Sequence, residues 1–267
     1  MLTPEQVDHF QTFGYLLLPQ LFDPDEMQLI TAAAAAIWAG EQARTGERAL
    51  GMAPFIELSP QLDWLGVDDR IYGAMQSLLG GGLIWSGSEG NKESDPPGDH
   101  DWHADRPGPR ELDYLRVKVM LYLAPMAKEE GALRIIPGSH REPLHTRLKP
   151  FQDVHGQPRP TFFGLHGSDV PCVALETRPG DAALFSQSLF HGVYGKQANR
   201  RYIALKYAAR PTTDRHLASL CYFSPYAFAA HGSYAHHECP RIRGMVDGIV
   251  AQRDRATRVM PEYYPEA

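Results

Sequence analysis

The 267-residue sequence predicts a mainly β protein with helices on its N-terminal side. Two observations predict this fold class. Residues 1–82 carry helix start signals and helical spacing of apolar residues. From residue 83 onward, short runs rich in Val, Ile, Leu, Tyr and Phe are separated by Gly, Pro, Asp and Asn turns, as in antiparallel all-β domains. We therefore expect one domain, with helical support in residues 1–82, a β core in residues 83–210 and a wrapping segment in residues 211–267.

Capping signatures place the N-terminal helices. Residues 3–6 read Thr-Pro-Glu-Gln and residues 23–26 read Asp-Pro-Asp-Glu, each a helix start with proline at the first helical position. The apolar run at residues 15–18 between them predicts a strand. The second helix is expected to close near Gly40, and a third, over residues 67–79, is expected to stop at the glycines that follow.

The remaining strands are inferred from β-type runs between turns. They are expected near residues 83–87, 100–105, 114–124, 132–136, 170–177, 181–186, 190–194 and 201–209. Residues 41–66 show no reliable period. The tail from residue 211 shows little periodicity either, so no element is predicted in those two stretches.

Composition narrows the classes of partner. With 26 Lys and Arg against 32 Asp and Glu, the net charge of -6 gives no footprint for nucleic acid or anionic lipid. The first residues lack a basic region, and the longest apolar run is too short to span a membrane, so a cytoplasmic location is expected. The 3 cysteines show no CxxC spacing and are expected to be packing residues. A small-molecule substrate is the favoured partner.

A candidate metal site begins in the segment Asp101-Trp102-His103-Ala104-Asp105. Alternation along a strand puts His103 and Asp105 on one face, where both side chains can reach one metal ion. A sequence with 12 histidines can produce such a pair by chance, and a surface loop is an equally reasonable interpretation of this segment alone.

His191 is the candidate third ligand, because it follows a turn and an apolar strand. Two imidazoles and one carboxylate form the facial triad of non-haem iron(II) oxygenases. A histidine satisfied by core hydrogen bonds is the alternative. The next strand favours the metal site, because it begins with Arg200 and Arg201, and an arginine directed into a barrel requires an anionic partner. A carboxylate such as that of 2-oxoglutarate suits the guanidinium.

Taken together, these segments resemble the phytanoyl-CoA dioxygenase family of iron(II)- and 2-oxoglutarate-dependent oxygenases. The resemblance covers most of the chain. It rests on Phe-x-x-x-Gly-Tyr at residues 10–15, Trp-His-x-Asp at residues 102–105, the strand at 116–123, the segment 130–140, Pro-Gly-Asp at 179–181, His191-Gly192 and the closing arginine strand.

The resemblance implies a double-stranded β-helix, that is, a jelly-roll or cupin-like barrel. It also implies Fe(II) bound by His103, Asp105 and His191, with 2-oxoglutarate and O2 as co-substrates. The family reaction decarboxylates 2-oxoglutarate to succinate and CO2 and oxidises a second molecule, most commonly by hydroxylation. Val193 stands where the family often has a Ser or Thr that helps to hold 2-oxoglutarate, so Lys118 and Tyr122 are candidates for secondary contacts.

Arg200 is preferred over Arg201 as the 2-oxoglutarate anchor. Alternation puts the two arginines on opposite faces, and the more apolar face belongs to Arg201. In the family pattern, however, the anchoring arginine is followed three, five and seven positions on by aliphatic or aromatic residues. Counted from Arg200, these positions are Ile203, Leu205 and Tyr207.

The same sequence features allow other activities to be considered. A halogenase of the same family lacks the iron carboxylate, and Asp105 argues against it. Desaturation, epoxidation or ring formation uses the same machinery. In another class, a non-catalytic cupin-like protein binds only a metal or small ligand. Of the other histidines, His140 is expected to brace a turn, and the pair His236 and Glu238 lacks a strand pattern.

Overall fold

The N-terminal helices begin where the sequence predicts their caps. The computed structural model describes residues 1–47, 50–92, 98–105, 112–152, 161–198, 200–223 and 230–259. Thr3 accepts a hydrogen bond from the backbone of Gln6, whose side chain accepts one from the backbone of Thr3. Asp23 and Glu26 repeat this reciprocal pair at the second helix. Both pairs satisfy N–H groups that a helix start leaves without partners.

The helices lie at both ends of the chain, with one short helix between them. They are α1 (Pro4–Phe13), α2 (Pro24–Thr45), α3 (Asp69–Leu79), α4 (Leu144–Leu148), α5 (Asp214–Phe223), α6 (Gly232–Ala235), α7 (Pro240–Val250) and α8 (Arg253–Val259). None of them, over the residues described, is long and apolar enough to cross a membrane.

Most strands lie in the central part of the chain. They are β1 (Tyr15–Leu18), β2 (Leu50–Met52), β3 (Ile84–Lys92), β4 (His100–His103), β5 (Arg116–Tyr122), β6 (Leu133–Ile135), β7 (Thr161–Phe162), β8 (Leu165–His166), β9 (Val173–Leu175), β10 (Ala182–Ser186), β11 (His191–Val193) and β12 (Arg201–Ala208).

Two antiparallel sheets form the core. A six-stranded sheet has the order β1-β10-β5-β12-β3-β2, and a four-stranded sheet has the order β4-β11-β6-β9. Apart from β2 and β3, neighbouring strands are not consecutive in the chain, as in a jelly roll, and the mainly β fold class predicted from the sequence is confirmed. The hairpin of β7 and β8 stands apart from both sheets.

Strand alternation divides the large sheet into two faces. On β5, Val117, Val119 and Leu121 pack with the N-terminal helices in the largest apolar cluster. Met120 and Tyr122 face the other way, into a second cluster shared with the small sheet. This second face is the barrel interior.

Several predicted bounds are wrong. Helix α2 continues past Gly40, because a glycine costs a helix interior only about 1 kcal/mol. The helix ends instead at Gly46, which has the left-handed conformation of a C-cap at φ 76°. Strand β3 runs on to Lys92 instead of ending near residue 87, and Gly87 adopts φ 93° at an irregularity within the strand.

The tail also differs from expectation. It contains α5 to α8, although no helix was predicted after residue 211. Leu217 and Leu220 of α5 and Ala256 of α8 pack against Ile84 and Ala208 at one end of the large sheet. These helices are short, so tertiary packing rather than a long periodic pattern stabilises them. Strand β2 and the β7–β8 hairpin were not predicted either.

Gly14 joins α1 to β1 and allows a close contact with a turn of the core. Its φ is 83°, and a Cβ atom there would lie 2.5 Å from Nδ1 of His140 and 2.7 Å from Cδ1 of Leu189. His140 lies with Nε2 3.1 Å from the carbonyl oxygen of Gln11. It therefore braces the turn by hydrogen bonding, as the sequence suggested.

We expect Gly14→Ala to lower the free energy of unfolding by about 1–3 kcal/mol, because a side chain there is both strained and overpacked. Gly40→Ala is the matched control. Gly40 is exposed within α2 with open space around it, so the same change should raise stability by roughly 0.5–1 kcal/mol. Equilibrium denaturation in urea measures both. Equal stability of Gly14→Ala and wild type would contradict the assigned contact.

Candidate metal centre

His103 and His191 lie opposite each other on adjacent strands of the small sheet. They are register partners between β4 and β11. Their ring centroids are 4.3 Å apart. Side chains at directly opposed strand positions lie close together, so the two imidazoles lie side by side on the inner face of the sheet.

Each imidazole is oriented by the carbonyl two residues earlier in its own segment. Nδ1 of His103 lies 2.7 Å from the carbonyl oxygen of Asp101. Nδ1 of His191 lies 2.9 Å from that of Leu189. A carbonyl oxygen only accepts, so each Nδ1 carries the hydrogen and each Nε2 keeps a lone pair for a metal.

Asp105 completes the group, although by a different route from the one predicted. Strand β4 ends at His103, so strand alternation does not place Asp105. Its position is set by its backbone N–H, which donates to the carbonyl of Gln187 at 3.1 Å. Oδ1 of Asp105 lies 3.6 Å from Nε2 of His191. One ligand atom from each of His103, Asp105 and His191 lies within 4.8 Å of the others.

A chain of ion pairs extends from Asp105 across the barrel interior. Nζ of Lys118 lies 3.2 Å from Oδ2 of Asp105 and 3.1 Å from Oε1 of Glu89. Oε2 of Glu89 lies 3.7 Å from Nζ of Lys206. These charges alternate in sign, which is how charged groups are tolerated away from bulk water.

The ionisation states follow from this pairing. Burial alone would raise the pKa of Asp105, but Lys118 and the two histidines hold it well below its ordinary value. Burial would also raise the pKa of Glu89, but the positive charges of Lys118 and Lys206 lower it to about 2. Asp105 and Glu89 keep the pKa of Lys118 above its ordinary value against burial. Both carboxylates are therefore charged at neutral pH.

His191 is held in the neutral form. Burial, with a smaller contribution from the neighbouring His103, lowers the pKa of His191 to about 3. A neutral imidazole is the form that binds a metal ion. With the imidazole nitrogen of His103 and the carboxylate of Asp105, the group has the donor set that suits iron(II).

Arg200 lies at another part of the interior, just before β12. It is 2% exposed, with Nε donating to the carbonyl of Gly131 at 3.0 Å and Nη2 donating to the Tyr122 hydroxyl at 3.3 Å. Its guanidinium carbon lies 5.3 Å from the ring centre of Tyr122 and 4.8 Å from that of Tyr202. Both tyrosine rings lie beside this planar cation, which carries several N–H donors.

Arg201 belongs to the other face of β12. It shares that face with Ile203, Leu205 and Tyr207, which pack with the helices outside the sheet. The more apolar face of β12 therefore points to the helical layer. Apolarity alone would have selected the arginine that faces the helical layer, whereas the family spacing selected the one that faces the interior.

The remaining predicted positions are also accounted for. Trp102 is 1% exposed in the apolar cluster on the outer side of the small sheet, as expected for core packing. His237, in the rival histidine segment, contacts Asp63 at 3.2 Å. Over the residues described, the only group of three or more His, Cys, Asp and Glu side chains arranged to hold a metal is that of His103, Asp105 and His191.

Sequence reasoning missed three interior side chains. Tyr202 and Lys206 lie two and six residues after Arg200, so strand alternation already predicts that they share its face of β12. Glu89 was missed because β3 was predicted to end before it. Its register partner on β12 is Ala204, another interior residue, and this pairing requires the three-dimensional sheet.

Comparison with known proteins gives matches across most of the chain. The family model described as Phytanoyl-CoA dioxygenase (PhyH) matches residues 10–200. An ectoine dioxygenase of Bordetella parapertussis is 25% identical over 216 residues, which span 72% of this chain and 70% of that protein.

Solved structures share the fold. HygX from Streptomyces hygroscopicus, with nickel and 2-oxoglutarate bound, superposes with a TM-score of 0.62 at 21% identity, covering 78% of this chain and 87% of HygX. EctD from S. alaskensis, with 2-oxoglutarate and 5-hydroxyectoine, gives 0.60 at 23% identity, covering 78% of this chain and 77% of EctD.

Proposed function

The chain belongs to the phytanoyl-CoA dioxygenase family of iron(II)- and 2-oxoglutarate-dependent oxygenases, and from this premise we propose that it hydroxylates a small organic molecule at the centre formed by His103, Asp105 and His191. The reaction would convert 2-oxoglutarate and O2 to succinate and CO2 while one oxygen atom is inserted into a C–H bond. The observation that carries the proposal is the convergence of these three side chains on one point of the barrel interior.

The donor set fits iron(II). Two imidazole nitrogens and one carboxylate on one side of a metal leave its other positions open for co-substrate and oxygen. Both imidazoles are oriented by backbone carbonyls, which favours a site arranged before the metal enters. When bound, iron and 2-oxoglutarate supply the oxidising chemistry, and the protein supplies position and a water-poor surrounding.

Arg200 is the proposed anchor for the far carboxylate of 2-oxoglutarate. Its guanidinium is buried on the inner face and is fixed by Gly131, Tyr122 and Tyr202, so little side-chain entropy is lost when an anion binds. Tyr122 contributes its hydroxyl and ring beside the anchor. Val193 is apolar and belongs to the interior cluster, so it offers no hydrogen bond to 2-oxoglutarate. Tyr122 and Tyr202 are the polar side chains beside the carboxylate that Arg200 would bind.

Lys118 is proposed to act at the other end of the co-substrate. On β5 it lies four residues from Tyr122 on the same face, about 13 Å along the strand. Its contact with Asp105 puts its charge beside the proposed metal. Lys118 would therefore hold the Asp105 carboxylate in place, and its positive charge would attract the end of 2-oxoglutarate that lies near the metal. Tyr122 would contact the end of 2-oxoglutarate that Arg200 binds.

The proposed outcome is hydroxylation of a small organic molecule. The curated relative is named an ectoine dioxygenase, and EctD is solved with 5-hydroxyectoine, so small hydroxylated products occur among similar proteins. Desaturation, epoxidation or ring formation would use the same residues. These outcomes differ in how the substrate radical is positioned, which depends on the substrate.

Turnover of 2-oxoglutarate tests the proposal. With Fe(II), O2 and ascorbate, we expect the purified protein to form succinate slowly alone and faster with a substrate from a metabolite panel. Succinate is measured by mass spectrometry, and omission of iron is the control. A protein that binds iron stoichiometrically but forms no succinate under any of these conditions would be a metal-binding barrel rather than an oxygenase.

A further inference from the structure

Glu89 reaches toward the proposed metal centre from two strands away. It lies on β3, and its register partner on β12 is Ala204, a fully buried interior residue. Oε1 of Glu89 lies 3.1 Å from Nζ of Lys118, which belongs to β5 on the far side of β12. Neighbouring strands are about 4.8 Å apart, so this ion pair crosses about 10 Å of sheet. The small side chain of Ala204 leaves room for the two long side chains to meet above β12.

Lys118 is held by carboxylates from two different segments. Its Nζ lies 3.3 Å from Oδ1 and 3.2 Å from Oδ2 of Asp105, in addition to its contact with Glu89. An ammonium group carries three hydrogens, so it can donate to both acids at once. The lysine side chain is a flexible four-carbon stem, and a second fixed partner restricts where its charge can lie. The contact with Glu89 therefore helps to fix the Lys118 ammonium against Asp105.

The sheet also places a second lysine beside the first. Lys118 on β5 and Lys206 on β12 are register partners. Like charges at directly opposed strand positions repel each other. Oε2 of Glu89 lies 3.7 Å from Nζ of Lys206 while its Oε1 contacts Lys118, so one carboxylate bridges the two ammonium groups. Glu89 thus allows Lys118 to stay directed at Asp105 although a second cation lies next to it.

A cation beside a metal ligand has two opposing effects on the metal. It orients the ligand by hydrogen bonding, and partners of this kind typically contribute 10- to 100-fold to metal affinity. It also repels the metal ion through its charge. A further carboxylate on the same cation reduces the repulsion and keeps the hydrogen bonds. Among the described residues, Glu89 forms its ion pairs with Lys118 and Lys206 and none with the triad, so it is placed to act in this way.

We propose that Glu89 is a positioning residue that acts on the metal centre through Lys118, fixing the ammonium against Asp105 and offsetting part of its charge. This rests on the proposed oxygenase function. Glu89 raises the affinity for the metal by this route. The same offset weakens the attraction of Lys118 for 2-oxoglutarate, which is a dianion. The affinities for metal and for 2-oxoglutarate should therefore respond to the charge of Glu89 in opposite directions.

Glu89→Gln tests the proposal, because it removes the charge and keeps the size and an accepting oxygen of the side chain. We would titrate Ni(II) into the apoprotein and then 2-oxoglutarate into the nickel-loaded chain, using isothermal titration calorimetry. Nickel affinity should fall about 10-fold or more. The affinity for 2-oxoglutarate should rise about 2- to 5-fold, as for one partly exposed ion pair. A general loosening of the barrel would lower both affinities.

A double-mutant cycle tests whether the effect passes through Lys118. In the Lys118→Met background the ammonium is absent, so adding Glu89→Gln should change nickel affinity by less than about 2-fold. Glu41→Gln is the matched control. Glu41 is paired with the exposed Arg44 on α2, so the same change of charge there should leave both affinities unchanged.

Three results would overturn the role of Glu89: unchanged nickel affinity in Glu89→Gln, weaker binding of 2-oxoglutarate by that variant, or an equal loss of nickel affinity with and without Lys118. Failure of the general function is a separate result, seen in the wild type. If nickel or 2-oxoglutarate does not bind the wild-type chain, the oxygenase proposal fails. If both bind and Glu89→Gln behaves as wild type, only the positioning role fails.

Discussion

His191→Ala is expected to abolish succinate formation and to lower the affinity for iron(II) by about 100-fold or more, since even the loss of a group that merely orients a metal ligand costs 10- to 100-fold. His103→Ala and Asp105→Ala should do the same. Each removes one of three ligand atoms that lie within 4.8 Å of one another. Calorimetric titration of metal into the apoprotein measures affinity, and mass spectrometry measures succinate.

His236→Ala is the control for this series, because His236 is an exposed member of the rival histidine segment. It should bind iron and turn over as wild type does. Circular dichroism should show the same fold in all four variants, because none of the substituted side chains belongs to the largest apolar cluster. Full iron affinity in any triad variant would remove that residue from the metal site.

Arg200→Met is expected to raise the 2-oxoglutarate concentration needed for half-maximal rate roughly 10- to 150-fold, as follows from losing a charge-assisted hydrogen bond of about 1.5–3 kcal/mol. The effect should fall on the requirement for 2-oxoglutarate much more than on metal binding, because Arg200 contacts Gly131, Tyr122 and Tyr202 rather than the triad. Initial rates at varied 2-oxoglutarate measure it.

Arg201→Met is the matched control, since Arg201 is half-buried on the opposite face of β12. A second readout guards against misfolding. Saturating 2-oxoglutarate should raise the melting temperature of wild type and Arg201→Met, and it should not raise that of Arg200→Met. The reverse pattern, with Arg201→Met losing the response, would show that β12 presents its other face to the co-substrate.

The fold was predictable where local signals coincide with tertiary structure. The capping pairs of α1 and α2 and the turn-bounded strands were identified because their patterns are local. The tail helices were not, because α5 and α8 depend on packing against the end of the large sheet. Gly40 misled for the opposite reason, since it is tolerated inside a helix that its neighbours stabilise.

The candidate site divides in a similar way. The triad and Arg200 were named from sequence, since they lie in short motifs whose order matches a known family. Asp105 does lie beside the two histidines, but the reason given for it was incomplete, because a contact with Gln187 rather than strand alternation positions it. Glu89 and Lys206 emerged only when the sheet order brought β3 beside β12, which no local pattern in the sequence specifies.

The strand order of the large sheet also bears on how the protein is made. Over the residues that the structure describes, β1 pairs only with β10, and β5 lies between β10 and β12, so in this half of the sheet early strands alternate with late ones. While the ribosome is still synthesising the chain, β1 and β5 have no sheet partner until β10 has emerged, and the sheet is complete only after β12 has emerged. Such non-local pairing makes folding slow and leaves β1 and β5 exposed to aggregation or chaperone binding until synthesis is nearly complete.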